Sequence, residues 1–222
     1  MKFCNPKLET VIEINGSEIS TIVIENRNFF FEILQDIYAQ INGEPGSCVV
    51  SENDRPLSFS KCVDLTDSFL SFTLNRKTLQ TKIVAALERL AVNSENYMQT
   101  AELLSEIEAF INELAAELDC AVECGKINAG ALLKMAGLTI REDYDNFLER
   151  VFDYMELTRE FDRDKLFIFV NMRAYFKEDE LQAFFETVLS HEFKILLIDS
   201  VALSKLKYER RLIIDEDLCE IY

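Results

Sequence analysis

One stretch, residues 165–199, limits what this chain can fold into more than any other. Lys165-Leu166-Phe167-Ile168-Phe169-Val170-Asn171 is a short apolar run closed by a polar residue at each end. Such a run suits a strand covered on both faces, as in a parallel sheet. Residues 177–190 begin Lys-Glu-Asp-Glu and then place Leu181, Phe184, Phe185, Val188 and Leu189 on one helical face. Lys194-Ile195-Leu196-Leu197-Ile198-Asp199 is a second buried-looking run. Strand, helix and strand in this order predict a βαβ unit with a right-handed crossover. The second strand ends in Asp199, as the metal-side strand of a nucleotide hydrolase does; a polar residue closing a buried strand reads the same way.

Upstream, Val11-Ile12-Glu13-Ile14, Asn15-Gly16 and the run 19–24 read as a hairpin with a type I′ turn. Residues 28–41 predict an amphipathic helix, with Phe30, Ile33, Leu34, Ile37, Tyr38 and Ile41 on one face. A turn at 43–46, a strand at 48–51 and a turn at Asp54-Arg55-Pro56 follow, so that 1–60 supply more of the same sheet.

The texture then changes to helix: 79–90, 101–118, 129–136 and 144–157. In the second of these, Leu103, Leu104, Ile107, Phe110, Ile111, Leu114 and Leu118 are expected to point inward, and Glu102, Glu106, Glu113 and Glu117 line another face. The third stops at Gly137, a residue suited to helix C-termini. The expected architecture is α/β: a discontinuous α/β head domain, residues 1–69 and 159–222, with an inserted α-helical leg domain, residues 70–158.

Composition narrows the function. With 222 residues and 49% hydrophobic side chains, the chain can bury a sizeable core. No apolar run is long enough to span a membrane, and none follows Lys2 as in a signal peptide. The expectation is a cytoplasmic protein with its six cysteines reduced and acting as small buried hydrophobes. Cys120 and Cys124 lie four apart with no second pair or histidine to complete a zinc site.

The net charge of −17 argues against nucleic acid, but the charge is unevenly spread. Residues 61–97 carry five Lys/Arg against four Asp/Glu, whereas 98–123 carry seven acids and no base. None of the six glycines sits in a phosphate loop, so Asp199 has no phosphate site to serve. His191 has no nucleophile motif beside it and suits a helix C-terminus. No catalytic residue is expected.

Two clusters remain. Glu113, Glu117, Asp119 and Glu123 fall at the end of the long helix and beyond it, and Glu142-Asp143-Tyr144-Asp145 resembles the start of a calcium loop without its central glycine. The insertion's cations are Arg76, Lys77, Lys82, Arg89, Lys126, Lys134, Arg141 and Arg150. They read as solvated surface or as phosphate contacts without base specificity.

The order of these segments resembles a known family. Residues 165–171, the acidic helix start 177–180, Ile195 to Asp199, and Leu212-Ile213-Ile214-Asp215-Glu216-Asp217 are similar to the accessory protein of spacer acquisition in type II-A CRISPR systems. So are Val23-Ile24-Glu25, Val63-Asp64-Leu65-Thr66-Asp67 and Gly137-Leu138-Thr139-Ile140. The resemblance implies a homotetrameric ring that threads double-stranded DNA from its ends, without sequence preference. It implies a nucleotide-hydrolase-like head without a phosphate loop and a helical leg. It also implies calcium held by leg carboxylates, no enzymatic activity, and work alongside the spacer integrase complex and the RNA-guided nuclease. Lys134, Arg150 and Lys165 look similar to basic positions of that family, and Arg76, Lys77 and Lys82 join them by their place at the start of the insertion. Glu117, Asp119 and Glu123 are the positions carried over for calcium, although Cys120, Ala121, Cys124, Gly125 and Lys126 stand where the family has more acids. A protein-only scaffold of the adaptation complex and a nucleotide hydrolase with a non-standard site are the alternatives.

Overall fold

The computed structural model describes residues 1–222. The chain forms two compact units, Met1–Phe72 with Tyr144–Tyr222, and Thr73–Asp143. In chain order the first unit opens with β1 (Lys2–Cys4), β2 (Ile12–Glu13), β3 (Ile19–Ile24), α1 (Arg27–Ile41), β4 (Val49–Glu52), β5 (Arg55–Leu57), α2 (Phe59–Cys62) and β6 (Val63–Thr66). The second unit holds α3 (Lys77–Ala91), α4 (Tyr97–Ala116) and α5 (Ala129–Met135). The chain returns to the first unit as α6 (Phe147–Phe161), β7 (Leu166–Val170), a 3₁₀ turn (Met172–Ala174), α7 (Glu178–Ser190), β8 (Lys194–Asp199), β9 (Glu209–Ile214) and β10 (Glu220–Ile221).

The α/β class holds. Six strands run in the order β10-β9-β3-β8-β7-β6, parallel except for β10 at the edge. β7, α7 and β8 form the expected βαβ unit, with Leu166 opposite Lys194 and Val170 opposite Ile198. Every residue of β3 and of β7 is buried, as central parallel strands require. One sheet face packs Ile22, Ile168, Leu196 and Ile198 on Phe29, Ile33 and Ile37 of α1. The other carries Phe167 against Phe193 and Phe169 against Phe184, with ring centroids 5.7 and 6.4 Å apart.

The hairpin at Asn15-Gly16 does not form. β2 pairs with β1 in a separate four-stranded antiparallel sheet, β2-β1-β4-β5, whereas β3 lies parallel between β8 and β9. The reason lies in the strands, not the turn. Ile12-Glu13 buries one side chain and exposes the next, while the run Ile19–Ile24 is buried throughout and must sit mid-sheet. The turn itself is real: Gly16 has φ +75°, and a Cβ there would lie 2.9 Å from the Glu192 carbonyl oxygen. Gly16→Ala should therefore destabilise the protein by about 1–3 kcal/mol, read from urea unfolding; an unchanged midpoint would contradict this. The two-residue type I′ turn expected at Asn15-Gly16 occurs instead at Asn53 and Asp54, with φ of 50° and 59°, joining β4 to β5. Arg55 and Pro56, read from sequence as turn residues, belong to the edge strand β5, where a missing N–H is tolerated.

The units divide at 143, not at 158. α6 buries Leu148, Val151, Tyr154 and Met155, and the Tyr154 hydroxyl donates to Asp64 of β6 at 2.5 Å. Its apolar face belongs to the sheet layer. The cysteines also divide: Cys48 and Cys62 are buried, but Cys120 and Cys219 are exposed, and all six are free thiols. Burial, followed by the Asp36 carboxylate, raises the Cys48 pKa well above that of an ordinary thiol.

Candidate nucleic-acid interface and cation ligands

Open α/β sheets bind ligands at the carboxyl ends of their strands. Here that edge is closed to phosphate. β3 ends at Ile24 and α1 begins at Arg27, so only Glu25 and Asn26 separate them. The Phe29 amide at the helix start donates to Asn26 Oδ1 at 2.9 Å, and the Asn26 amide donates to the Glu216 carbonyl at 2.7 Å. Glu25 and Glu216 help line the depression of about 560 Å³ that remains beside Arg27, Phe30 and Ser200. The mouth carries two carboxylates against the single guanidinium of Arg27, a net negative charge that disfavours an anionic ligand.

Asp199 does not line that depression. Its side chain is buried, and neither carboxylate oxygen has a hydrogen-bond partner. Burial pushes its pKa up to about 7; Arg173 and Arg211 pull it down and Glu209 pushes it further up. Those three form a buried ion cluster that the sequence did not flag. Arg211 donates to Glu209 through Nε at 2.9 Å and through Nη2 at 2.9 and 2.8 Å, and Arg173 Nη1 reaches the same carboxylate at 3.3 Å. His191 caps α7: its Nδ1 lies 2.9 Å from the Thr187 carbonyl, and its ring packs edge-on against Phe152.

The six cations expected at DNA fall into two groups. Arg76, Lys77, Lys82 and Lys134 lie in the second unit. Arg76 and Lys77 open α3, Lys82 sits one turn further on, and Lys134 lies in the last turn of α5. α3 and α5 pack together closely enough that a Cβ on Gly130 would lie 2.5 Å from a Glu88 carboxylate oxygen. Lys77 and Lys134 are exposed. Arg150 and Lys165 belong to the first unit and are engaged within it. The Arg150 guanidinium lies 4.1 Å over the Phe147 ring. The Lys165 ammonium, only 10% exposed, sits 3.3 Å from Asp162.

Glu117 caps the end of α4, and Asp119 and Glu123 follow; all three are exposed. No three His, Cys, Asp or Glu side chains of the chain converge as a metal site. Glu117, Asp119 and Glu123 therefore do not gather into one cluster within the chain. Neighbouring acids have structural duties. Glu108 accepts from the Ile127 amide at 2.8 Å and ties down the stretch after α4. Glu142 accepts from the Leu74 amide and the Asn75 side chain at 3.1 and 2.7 Å, and also from the Thr73 hydroxyl. Burial opposes its charge, but these bonds prevail and hold its pKa below the usual carboxylate value. Asn75 also donates to the Ile140 carbonyl at 2.9 Å and accepts from the Ile140 amide at 2.7 Å. The beginning and end of the second unit are clasped together by these contacts, in which Glu142 is the shared acceptor.

α4 differs most from its sequence reading. None of its side chains is buried; Leu103 and Leu114 are 50% exposed and Phe110 59%. The stripe expected to point inward is largely open: Leu104 and Ile107 are half-buried, while Leu103, Phe110, Ile111, Leu114 and Leu118 are exposed.

An open, largely parallel α/β unit with its phosphate site closed, interrupted by a helical unit, defines the class. The chain matches the family model described as "CRISPR-associated protein (Cas_Csn2)" over residues 40–218, and it belongs to that family. It is also 26% identical over 193 residues to the "CRISPR-associated protein Csn2" of Enterococcus faecalis, the alignment covering 86% of each chain. The family read from the order of the segments is the one that the comparison shows.

Proposed function

We propose that the protein serves CRISPR adaptation, the acquisition of new spacers in antiviral defence, as a non-enzymatic, sequence-independent binder of double-stranded DNA ends. Four copies form a ring around the duplex and work with the spacer integrase complex and the RNA-guided nuclease. Membership of a CRISPR-associated family supports the setting. The closed strand edge supports the lack of nucleotide chemistry: Glu25 and Asn26 leave no room for a phosphate loop.

The observation that carries the assembly is α4. An apolar stripe with Leu103, Phe110, Leu114 and Leu118 half or more exposed needs a partner surface, and further copies of the chain supply it. For DNA, Arg76, Lys77, Lys82 and Lys134 within one compact unit are the contacts; repetition in four copies gives a basic surface despite a chain charge of −17. Arg150 and Lys165 support the unit that holds them.

Lys77→Glu with Lys134→Glu should weaken binding to linear duplex at least tenfold and lower the salt slope by up to about 7, one contact per lysine in each of the four copies. Closed circular duplex should not compete. Equal binding to closed circles would refute threading. The net charge of −17 favours one rival, a protein-only scaffold, which failure to bind any duplex would leave standing. Solution mass reports the tetramer, and repeating it with a calcium chelator reads whether the exposed acids become ligands between copies.

A further inference from the structure

Helices α6 and α7 leave a groove of about 530 Å³ between them, within the first unit. Leu148, Phe152, Ala183 and Phe184 give it an apolar lining. Its acids come from both helices: Glu149 and Asp153 from α6, one turn apart, and Asp179 and Glu180 from the first turn of α7. No Lys, Arg or His lines it. The contacts to these acids bring no charge: the Tyr144 hydroxyl donates to Asp153 at 2.9 Å and the Lys177 backbone amide to Glu180 at 3.0 Å.

This combination excludes DNA, since four carboxylates repel phosphate. It also differs from a merely solvated acidic face, because the acids enclose an apolar slot. An occupant must cover apolar surface and bring cations on both sides of it. A helix with an apolar stripe flanked by Lys or Arg does both. α7, with 13 residues, offers about 20 Å of wall, the length of a partner segment of similar size. We propose that the α6–α7 groove is the docking site for a basic amphipathic helical segment of a partner protein. The site is independent of the DNA reading, which concerns cations of the second unit.

The test uses a fluorescein-labelled 14-residue peptide with Leu at helical three- and four-residue spacing and Lys at the flanking positions. Fluorescence anisotropy should show saturable binding that weakens with salt. A matched peptide with Ser for Leu should bind at least tenfold more weakly. Glu149→Lys with Asp179→Lys should reduce affinity for the Leu peptide at least tenfold, and so should Ala183→Arg, which fills the slot from an exposed helical position. Glu18→Lys with Glu44→Lys, equal in charge change but exposed and outside the groove, should leave affinity within twofold. Equal losses from both charge reversals, or equal binding of the Ser peptide, would overturn the proposal in favour of general attraction to an acidic protein. A change in solution mass on Ala183→Arg would overturn it in favour of an interface between copies. Circular dichroism melts of each variant confirm that the fold is retained.

Discussion

Glu209→Ala is expected to cost about 3–5 kcal/mol of stability, the range for removing one partner of a buried ion pair. Glu209 opens β9 with a fully buried side chain and serves two guanidinium groups. Its removal leaves Arg173, with a side chain 3% exposed, and Arg211, at 9%, without their shared counter-ion. The carbonyls of Leu203 and Ser204 still accept from them, but carbonyls do not neutralise charge. The Leu206 amide, which donates to Glu209 at 2.9 Å, loses its partner as well. Glu209→Gln keeps the shape and some acceptor capacity, so its loss should be smaller. Urea unfolding at pH 7 measures both; a loss below about 1 kcal/mol for the Ala variant would mean that the cluster behaves as a surface pair.

The neighbouring Asp199 has the opposite sign. Asp199→Asn should stabilise the protein at pH 8 and have little effect near pH 4. The folded-state pKa of about 7 lies above the ordinary carboxyl value of 3.8, because burial disfavours the charged carboxylate. The stability associated with this group is fully present below the unfolded value and is lost as the pH rises through about 7. At 1.36 kcal/mol per unit, the full penalty above pH 7 is on the order of 4 kcal/mol. Asn cannot ionise and does not incur it. Unfolding curves of the two proteins should converge at pH 4 and separate progressively up to pH 8; parallel curves would place the titration elsewhere. The two sites are coupled, since Glu209 raises the Asp199 pKa. In Glu209→Gln, Asp199 should ionise at lower pH and the gain from Asn should shrink.

The βαβ unit is legible in the sequence because its signal is local: two all-apolar runs and one helical stripe, each complete within a few turns. The family resemblance is legible for a related reason, since it rests on the order of such segments. The hairpin reading fails because Asn15-Gly16 specifies a turn and not the partners of the strands it joins. Partner choice was decided by the apolar faces of Ile19–Ile24, which only distant strands can cover. α6 was misplaced because a helical stripe shows that a face is buried and not what buries it. The same ambiguity made α4 look like a core helix, although its stripe is largely uncovered. Cation positions were readable as residues, but their pairing was not: Asp162 beside Lys165 and Phe147 beneath Arg150 are three positions away in sequence, yet their contacts depend on side-chain direction. The Arg173–Glu209–Arg211 cluster has no local signature, for it joins the 3₁₀ turn at Met172–Ala174 to β9, two segments well apart in the chain.

The placement of β3 has a consequence for how the protein is made. Its ladder partners are residues 194–199 and 209–214, so a fully buried strand at residues 19–24 waits for segments made much later. During synthesis, at about 5–20 residues per second, that strand leaves the ribosome some ten seconds or more before either neighbour exists. The nascent protein must keep it from pairing elsewhere, and the large sheet can close only after residues 209–214 have been made. Premature termination before residue 209 therefore yields a chain whose central strand lacks one of its two edges, a species prone to aggregation rather than a smaller working protein.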